Sequence, residues 1–146
     1  MLITGTSRGI GKHLVHHYSQ AGYQVFGCSR TPIDYELPNY QHHCVDVSDE
    51  VGAKQLFREI NAQYGRLDIL INNAAVMSQG LSIATNSETV IDVFNSNFLG
   101  TFIFSREASK LMKKGSFGRI VNMSSIHVPM GTIGTSIYGA SKAAIH

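Results

Sequence analysis

The chain has 146 residues, 43% hydrophobic and 15% charged, with 14 Gly and 3 Pro. That is the make-up of one packed domain and excludes disordered, collagen-like and coiled-coil chains. A formal net charge of +2 with scattered basic residues gives no support for nucleic acid or an anionic membrane as partner. No apolar run approaches the length of a membrane helix, and Met1-Leu2-Ile3-Thr4-Gly5 leaves no room for a signal sequence. Two cysteines without a secretory segment point to a reducing, cytoplasmic setting.

In chain order, short β-type runs alternate with longer helical patterns, the signature of βαβ units. Leu2 to Thr4 reads as a strand entering a glycine-rich turn, Gly5 to Gly11. The helix that follows is expected to bury Ile10, Leu14, Val15, Tyr18 and Ala21 and to end at Gly22. Gln24 to Cys28 reads as the second strand, Thr31 to Tyr40 as loop and His42 to Val45 as the third strand. Ser48 is the expected N-cap of a helix carrying Ala53, Leu56, Phe57, Ile60 and Tyr64 on one face and stopping at Gly65. Asp68 to Ile71 is the fourth strand. Thr85 and Glu88 fit a capping box for a long helix reaching about Lys114. Arg119 to Met123 is the fifth strand, and a last helix begins near Tyr138. The expected fold is a Rossmann-like, doubly wound parallel α/β sheet cut short after about five strands. A single domain is expected over residues 1–146, of the dinucleotide-binding kind if the glycine turn holds phosphate, and incomplete at its C-terminus. The apolar edge left by the fifth strand implies a fragment of a longer product, or an oligomer that covers the edge.

The stretch Thr4-Gly5-Thr6-Ser7-Arg8-Gly9-Ile10-Gly11 lies between a strand and a helix. Glycines there let a phosphate approach the backbone, and the helix start aims free N–H groups at it. The spacing is G-x-x-x-G-x-G, which is neither the commoner dinucleotide fingerprint nor a Walker loop. Tyr138 and Lys142, four residues apart, share a helix face. A phenol titrates near ~10 in water, and a neighbouring ammonium favours the phenolate, which suits acid–base work. Asn97 and Gly100 interrupt an otherwise periodic helix, and such local rule-breaking is expected at functional sites. His13 and His17 share a helix face without acidic or thiol partners, so no metal site is assigned. Cys28 and Cys44 read as buried thiols.

The glycine pattern, Asn72-Asn73-Ala74-Ala75 after the fourth strand and Tyr138-Gly139-Ala140-Ser141-Lys142, in that order, resemble the short-chain dehydrogenase/reductase family. The resemblance covers the whole chain and corresponds to the N-terminal three-fifths of such proteins. It implies an oxidoreductase that moves a hydride between a nicotinamide and a small carbonyl or alcohol substrate. Tyr138 would be the general acid/base, Lys142 its partner and a ligand of the nicotinamide ribose. Ser125, thirteen positions before Tyr138, would bind the developing alkoxide, with Ser124 as rival. Asn97 would hold a water linking Lys142 to solvent, with Asn95 as rival. Gly5, Ser7, Arg8, Gly9, Ile10 and Gly11 would cradle the pyrophosphate side. Asp46 and Val47 would meet the adenine, and Asn73 and Ala74 the adenosine. Ala75 stands where the family pattern has Gly.

At the end of the second strand, dinucleotide folds carry an acid for NAD or a base for the 2′-phosphate of NADP. Here Ser29-Arg30 offers no carboxylate, and Arg8 reaches the same expected contact, so NADP(H) is preferred and NAD(H) stays open. The long and final helices form subunit contacts in similar proteins, so the resemblance implies a homo-oligomer, dimer or tetramer. The other reading is a non-catalytic or inactive nucleotide-binding fragment of such an enzyme.

Overall fold

The computed structural model describes Met1–His146. Five strands, β1 (Leu2–Thr4), β2 (Val25–Ser29), β3 (Tyr40–Cys44), β4 (Ile69–Asn72) and β5 (Arg119–Asn122), form one sheet in the order β3-β2-β1-β4-β5. All four pairings are parallel, with Leu2 beside Phe26 and Leu70, and Ile69 beside Arg119. This is the doubly wound parallel sheet expected from the alternating elements. The chain reverses its direction of travel across the sheet between β1 and β4, so the loops after those strands diverge and leave a crevice at their carboxyl ends.

Successive side chains of a strand face opposite sides, and the core divides accordingly. Leu2, Phe26, Cys28 and Leu70 pack with Leu56, Phe57 and Ile60 of α2 (Glu50–Tyr64) and with Ile103, Phe104 and Ala108 of α4 (Gly100–Met112). Ile3, Val25 and Ile71 turn the other way, onto Val15 of α1 (Gly9–Gln20). Each fully buried aliphatic or phenyl side chain contributes roughly 1.5–3 kcal/mol, so the first layer is the main source of stability. β5 is an edge strand, and Ile120 and Val121 remain exposed.

Several boundaries differ from the sequence expectation. The N-cap of α2 is Asp49, which accepts from the Val51 N–H at 3.0 Å. Ser48 instead donates through its N–H and hydroxyl to Asp46 one residue pair earlier. Asn86 caps α3 (Ser87–Phe94) by accepting from Thr89 N–H at 2.8 Å, while Thr85 donates back to the Leu81 carbonyl, so the Thr85–Glu88 box does not form. Ile10 and Ala21 lie on the exposed side of α1, whose buried residues are Gly11, Val15 and Ser19. β3 begins at Tyr40, inside the stretch expected to be loop. The long helix is α3, a π-helical turn at Asn95–Leu99 and then α4. Gly100 has a packing reason: a Cβ there would come 2.7 Å from Val47 Cγ2. A 3₁₀ turn at Ser82–Ala84 and the one-turn helix α5 (His127–Met130) precede α6 (Ser136–Ala143), which starts two residues before Tyr138.

The cysteines part company. Cys44 is exposed at the sheet edge, whereas Cys28 is fully buried. Desolvation pushes the Cys28 thiol up to about 12 from an ordinary 9.0. Above its unfolded value the unfolded chain loses a proton that the folded chain keeps, so stability falls as pH rises through that window toward the folded value. Between pH 8 and pH 10 this one thiol is expected to cost about 1.4 kcal/mol. Urea melts of wild type and Cys28→Ala at both pH values check it: the variant should start lower, because it leaves a small cavity, and should lack that slope. Parallel slopes would remove Cys28 as the cause.

Candidate active site

The glycine turn gets its shape from positive φ at Gly5 (+73°) and Gly9 (+56°) and from contacts too close for any side chain. A Cβ on Gly11 would lie 2.0 Å from the Gly5 carbonyl oxygen and 2.6 Å from Asn73 Nδ2. Gly11 therefore closes the turn from behind rather than facing a ligand. A Cβ on Gly9 would touch nothing, which leaves the mouth of the turn open.

The turn is fastened to the ends of its neighbouring strands. Gly5 N–H donates to the Cys28 carbonyl at 2.8 Å. Asn73 Nδ2 donates to the carbonyls of Thr4 (2.9 Å) and Gly5 (3.2 Å), so its amide braces the turn while the residue still lines the crevice. Buried Thr4 completes the lock, its Oγ1 accepting from the N–H groups of Asn73 and Ala74 at 3.0 Å each. Sequence reasoning passed over Thr4 and Thr6. Hydroxyls at a strand end are too common to signal a partner nearly seventy residues away.

Above the turn opens a cleft of about 530 Å³. Its wall includes Gly5, Ser7, Arg8, Gly9, Ile10, Arg30, Asp46, Val47, Asn73 and Ala74, every expected cofactor residue except Gly11, Tyr138 and Lys142. Ser29, Thr31, Val45, Ala75, Val76 and Ser96 complete it. Four strand ends supply this wall, because parallel strands deliver all their following loops to one edge. Arg8 and Arg30 are exposed on the cleft and pair with no acid. Asp46 is tied by its Oδ1 to Ser48, so it shapes the turn before α2 as well as lining the cleft. An open-mouthed backbone cradle with two unpaired guanidiniums nearby fits a phosphate-bearing dinucleotide.

The expected catalytic residues are gathered by a chain of contacts at the same edge. Asn97, fully buried in the π-helical turn, accepts from Val76 N–H (2.8 Å) and donates to Val76 O and to Ser141 Oγ (2.9 Å each). Ser141 Oγ donates to the Tyr138 carbonyl at 2.7 Å. Lys142, also buried, donates from Nζ to the Met123 carbonyl at 2.7 Å, and burial lowers its pKa. Ser125 Oγ accepts from His127 N–H at 3.3 Å, and the His127 ring stands edge-on to the Tyr138 ring with centroids 5.7 Å apart. Ser124 faces the Lys142 carbonyl instead, at 3.5 Å. Contacts through Val76, Ser141, Met123 and His127 thus connect Asn97, Tyr138, Lys142 and Ser125 to the segments that follow β4 and β5, while none of the four lines the cleft. His127, which the sequence reading did not single out, belongs to that group. No helix is long and apolar enough to cross a membrane.

Comparison with known proteins gives concordant results. The family model for short chain dehydrogenases matches residues 1–146. A 3-ketodihydrosphingosine reductase of Bacteroides thetaiotaomicron is 36% identical over 146 residues, covering 99% of this chain and 54% of that protein. The 3-oxoacyl-acyl-carrier-protein reductase FabG of Escherichia coli is 29% identical over 150 residues, covering 99% and 62%. The solved structure of ElxO with NADP bound superposes with a TM-score of 0.91 at 34% identity, covering 99% of this chain and 62% of that one. The chain spans a little over half of the length of the curated relatives it matches.

Proposed function

The chain belongs to the short-chain dehydrogenase family, and from that premise we propose that it forms the cofactor-binding and proton-transfer part of an NADP(H)-dependent carbonyl reductase or alcohol dehydrogenase. The observation that carries the reading is that Asn97, bonded to Val76 of the cleft wall, also holds Ser141 beneath Tyr138, beside Lys142 and the Ser125 segment after β5.

Bound nicotinamide supplies the hydride that reaches the substrate's carbonyl carbon. The Tyr138 hydroxyl delivers the proton to the carbonyl oxygen, so that C=O becomes CH–OH, and takes it back in the reverse direction. Ser125 donates a hydrogen bond to that oxygen as negative charge grows on it. Lys142 places a cation on the face of α6 that carries Tyr138 and reaches for the nicotinamide ribose. Asn97 holds the backbone beneath Tyr138 through Ser141 and keeps a water that links Lys142 to solvent. The mouth of the turn, Gly5 to Ile10, would receive the pyrophosphate, with Gly11 packed behind it, and Asp46, Val47, Asn73 and Ala74 would hold the adenosine. Arg8 and Arg30 take the 2′-phosphate, with Ser29 standing where an acid would select NAD. Exposed Ile91, Phe98 and Phe102 on the long helix suit a homo-oligomer contact.

Calorimetric titration of NADPH and NADH into the purified full chain tests the cofactor reading. Saturable binding with NADPH the tighter ligand is expected, and absence of binding by either would end it. The competing reading, binding without turnover, is favoured by the engagement of Lys142 with Met123. It predicts that a panel of small carbonyl compounds is left unreduced by protein saturated with NADPH.

A further inference from the structure

His42 sits in the middle of β3, outside the cleft wall and behind the loop that follows β2. Its Nε2 lies 3.1 Å from the Thr31 carbonyl oxygen. A carbonyl only accepts, so Nε2 carries the proton and Nδ1 is the acceptor. That assignment suits the other side of the ring, where the Tyr40 hydroxyl lies 3.1 Å from Nδ1. Burial raises the Tyr40 phenol, which keeps it a donor, and lowers the His42 imidazole, which keeps it neutral at neutral pH. Tyr40 also lies 3.0 Å from Thr6 Oγ1, whose proton faces the Cys28 carbonyl at 3.4 Å, so the single Tyr40 proton is shared between His42 Nδ1 and Thr6 Oγ1.

The same Thr31 carbonyl receives a second donor, Ser29 Oγ, at 2.7 Å. Ser29 and His42 therefore pin the Thr31 carbonyl, immediately after Arg30, to the body of the sheet. Arg30 has no acidic partner of its own, so only its backbone fixes where the guanidinium starts from. Room for this arrangement comes from Gly27, opposite His42 in the β2–β3 pairing. A Cβ at Gly27 would come 2.2 Å from the Tyr40 hydroxyl and 2.8 Å from Thr6 Oγ1. A polar relay thus runs from beneath the glycine turn, through Tyr40 and His42, to the turn bearing Arg30.

We propose that His42 is a positioning residue for cofactor choice: its hydrogen bond to the Thr31 carbonyl holds Arg30 in place for the 2′-phosphate, so that it favours NADPH over NADH without touching either. The inference rests on the NADP(H) reading above. Ordering a long side chain and its loop before binding removes a cost that would otherwise weaken the complex. NADH offers only a hydroxyl where NADPH carries the 2′-phosphate, so the gain from a preset guanidinium falls chiefly to NADPH.

The test uses His42→Phe, which keeps a ring and removes the donor, and His42→Gln, whose amide nitrogen can restore it. Dissociation constants for both cofactors are measured by calorimetry on the full chain, with a thermal melt of each variant. For His42→Phe the NADPH constant is expected to rise about five- to tenfold, as for one net hydrogen bond, while that for NADH changes less than twofold. His42→Gln should recover most of the wild-type ratio. A wild type that prefers NADPH while both variants keep its ratio, or lose both cofactors equally, overturns this inference and leaves the NADP(H) reading standing. A wild type that binds neither cofactor, or binds NADH more tightly, overturns both.

Discussion

Tyr138→Phe is expected to lower the turnover of a reducible carbonyl substrate by about 10²–10⁴-fold while leaving NADPH affinity within about twofold. The size follows from the task. Without a positioned proton donor, the alkoxide formed as hydride reaches carbon must be neutralised by water, and general acid catalysis of that step is worth this range. The selectivity follows from the structure. The Tyr138 hydroxyl makes no hydrogen bond within the protein, and the ring meets His127 edge-on at 5.7 Å, a contact that phenylalanine keeps. No buried partner is orphaned, so the melting transition should move by no more than about 0.5 kcal/mol. Steady-state kinetics beside a thermal melt separates the two quantities. Equal turnover by wild type and variant would take the proton from some other group, and a large loss of stability would mean that the phenol has a structural partner.

The placement of Tyr138 was legible because the spacing to Lys142 and the order of the motifs are properties of the chain itself. So were the glycine turn and the strands, since Leu2-Ile3 and Leu70-Ile71 alternate between two core layers and Gly22 and Gly65 end their helices at positive φ. The misses have a common cause: several residues satisfy a local rule, and distant contacts choose among them. Ser48 and Asp49 are both good caps, and Asp49 serves because Asp46 engages Ser48. Thr85 loses to Asn86 in the same way. Ile10 fits the helix period, yet it lies at the mouth of the cleft rather than in the core. The roles of Thr4 and His42 were invisible because each acts across the sheet, on Asn73 or on Thr31, and no periodicity records such a pairing.

Asn97 was noticed for breaking the helical rule, and the same break makes it the residue whose replacement should unfold the chain most readily. Asn97→Leu is expected to cost about 3–5 kcal/mol, since it removes one partner from each of several buried hydrogen bonds. Leucine has nearly the same volume, so the loss is polar rather than steric. The amide now answers both the N–H and the carbonyl of Val76 and also holds Ser141 Oγ. With leucine, the half-buried Val76 on the cleft wall loses both partners and Ser141 Oγ loses a buried one. The π-helical turn loses its reason too, because a wider turn is what swings Asn97 inward to 0% exposure. At this chain length each kcal/mol lowers the melting temperature by roughly 2–4 °C, so a fall of about 6–20 °C is expected. Asn97→Asp offers a comparison. Its carboxylate can still accept from Val76 N–H, but it has no proton for the Val76 carbonyl, can take the Ser141 proton only away from the Tyr138 carbonyl, and is buried without a cation, so its melting temperature should fall as well. Ser141 also holds the Tyr138 carbonyl, so slackening at Asn97 reaches the phenol, and the turnover of Asn97→Asp should fall at temperatures where it remains folded. A melting temperature for Asn97→Leu within about 2 °C of wild type would mean that Val76 finds other partners, and that the break in the helix serves the reaction alone.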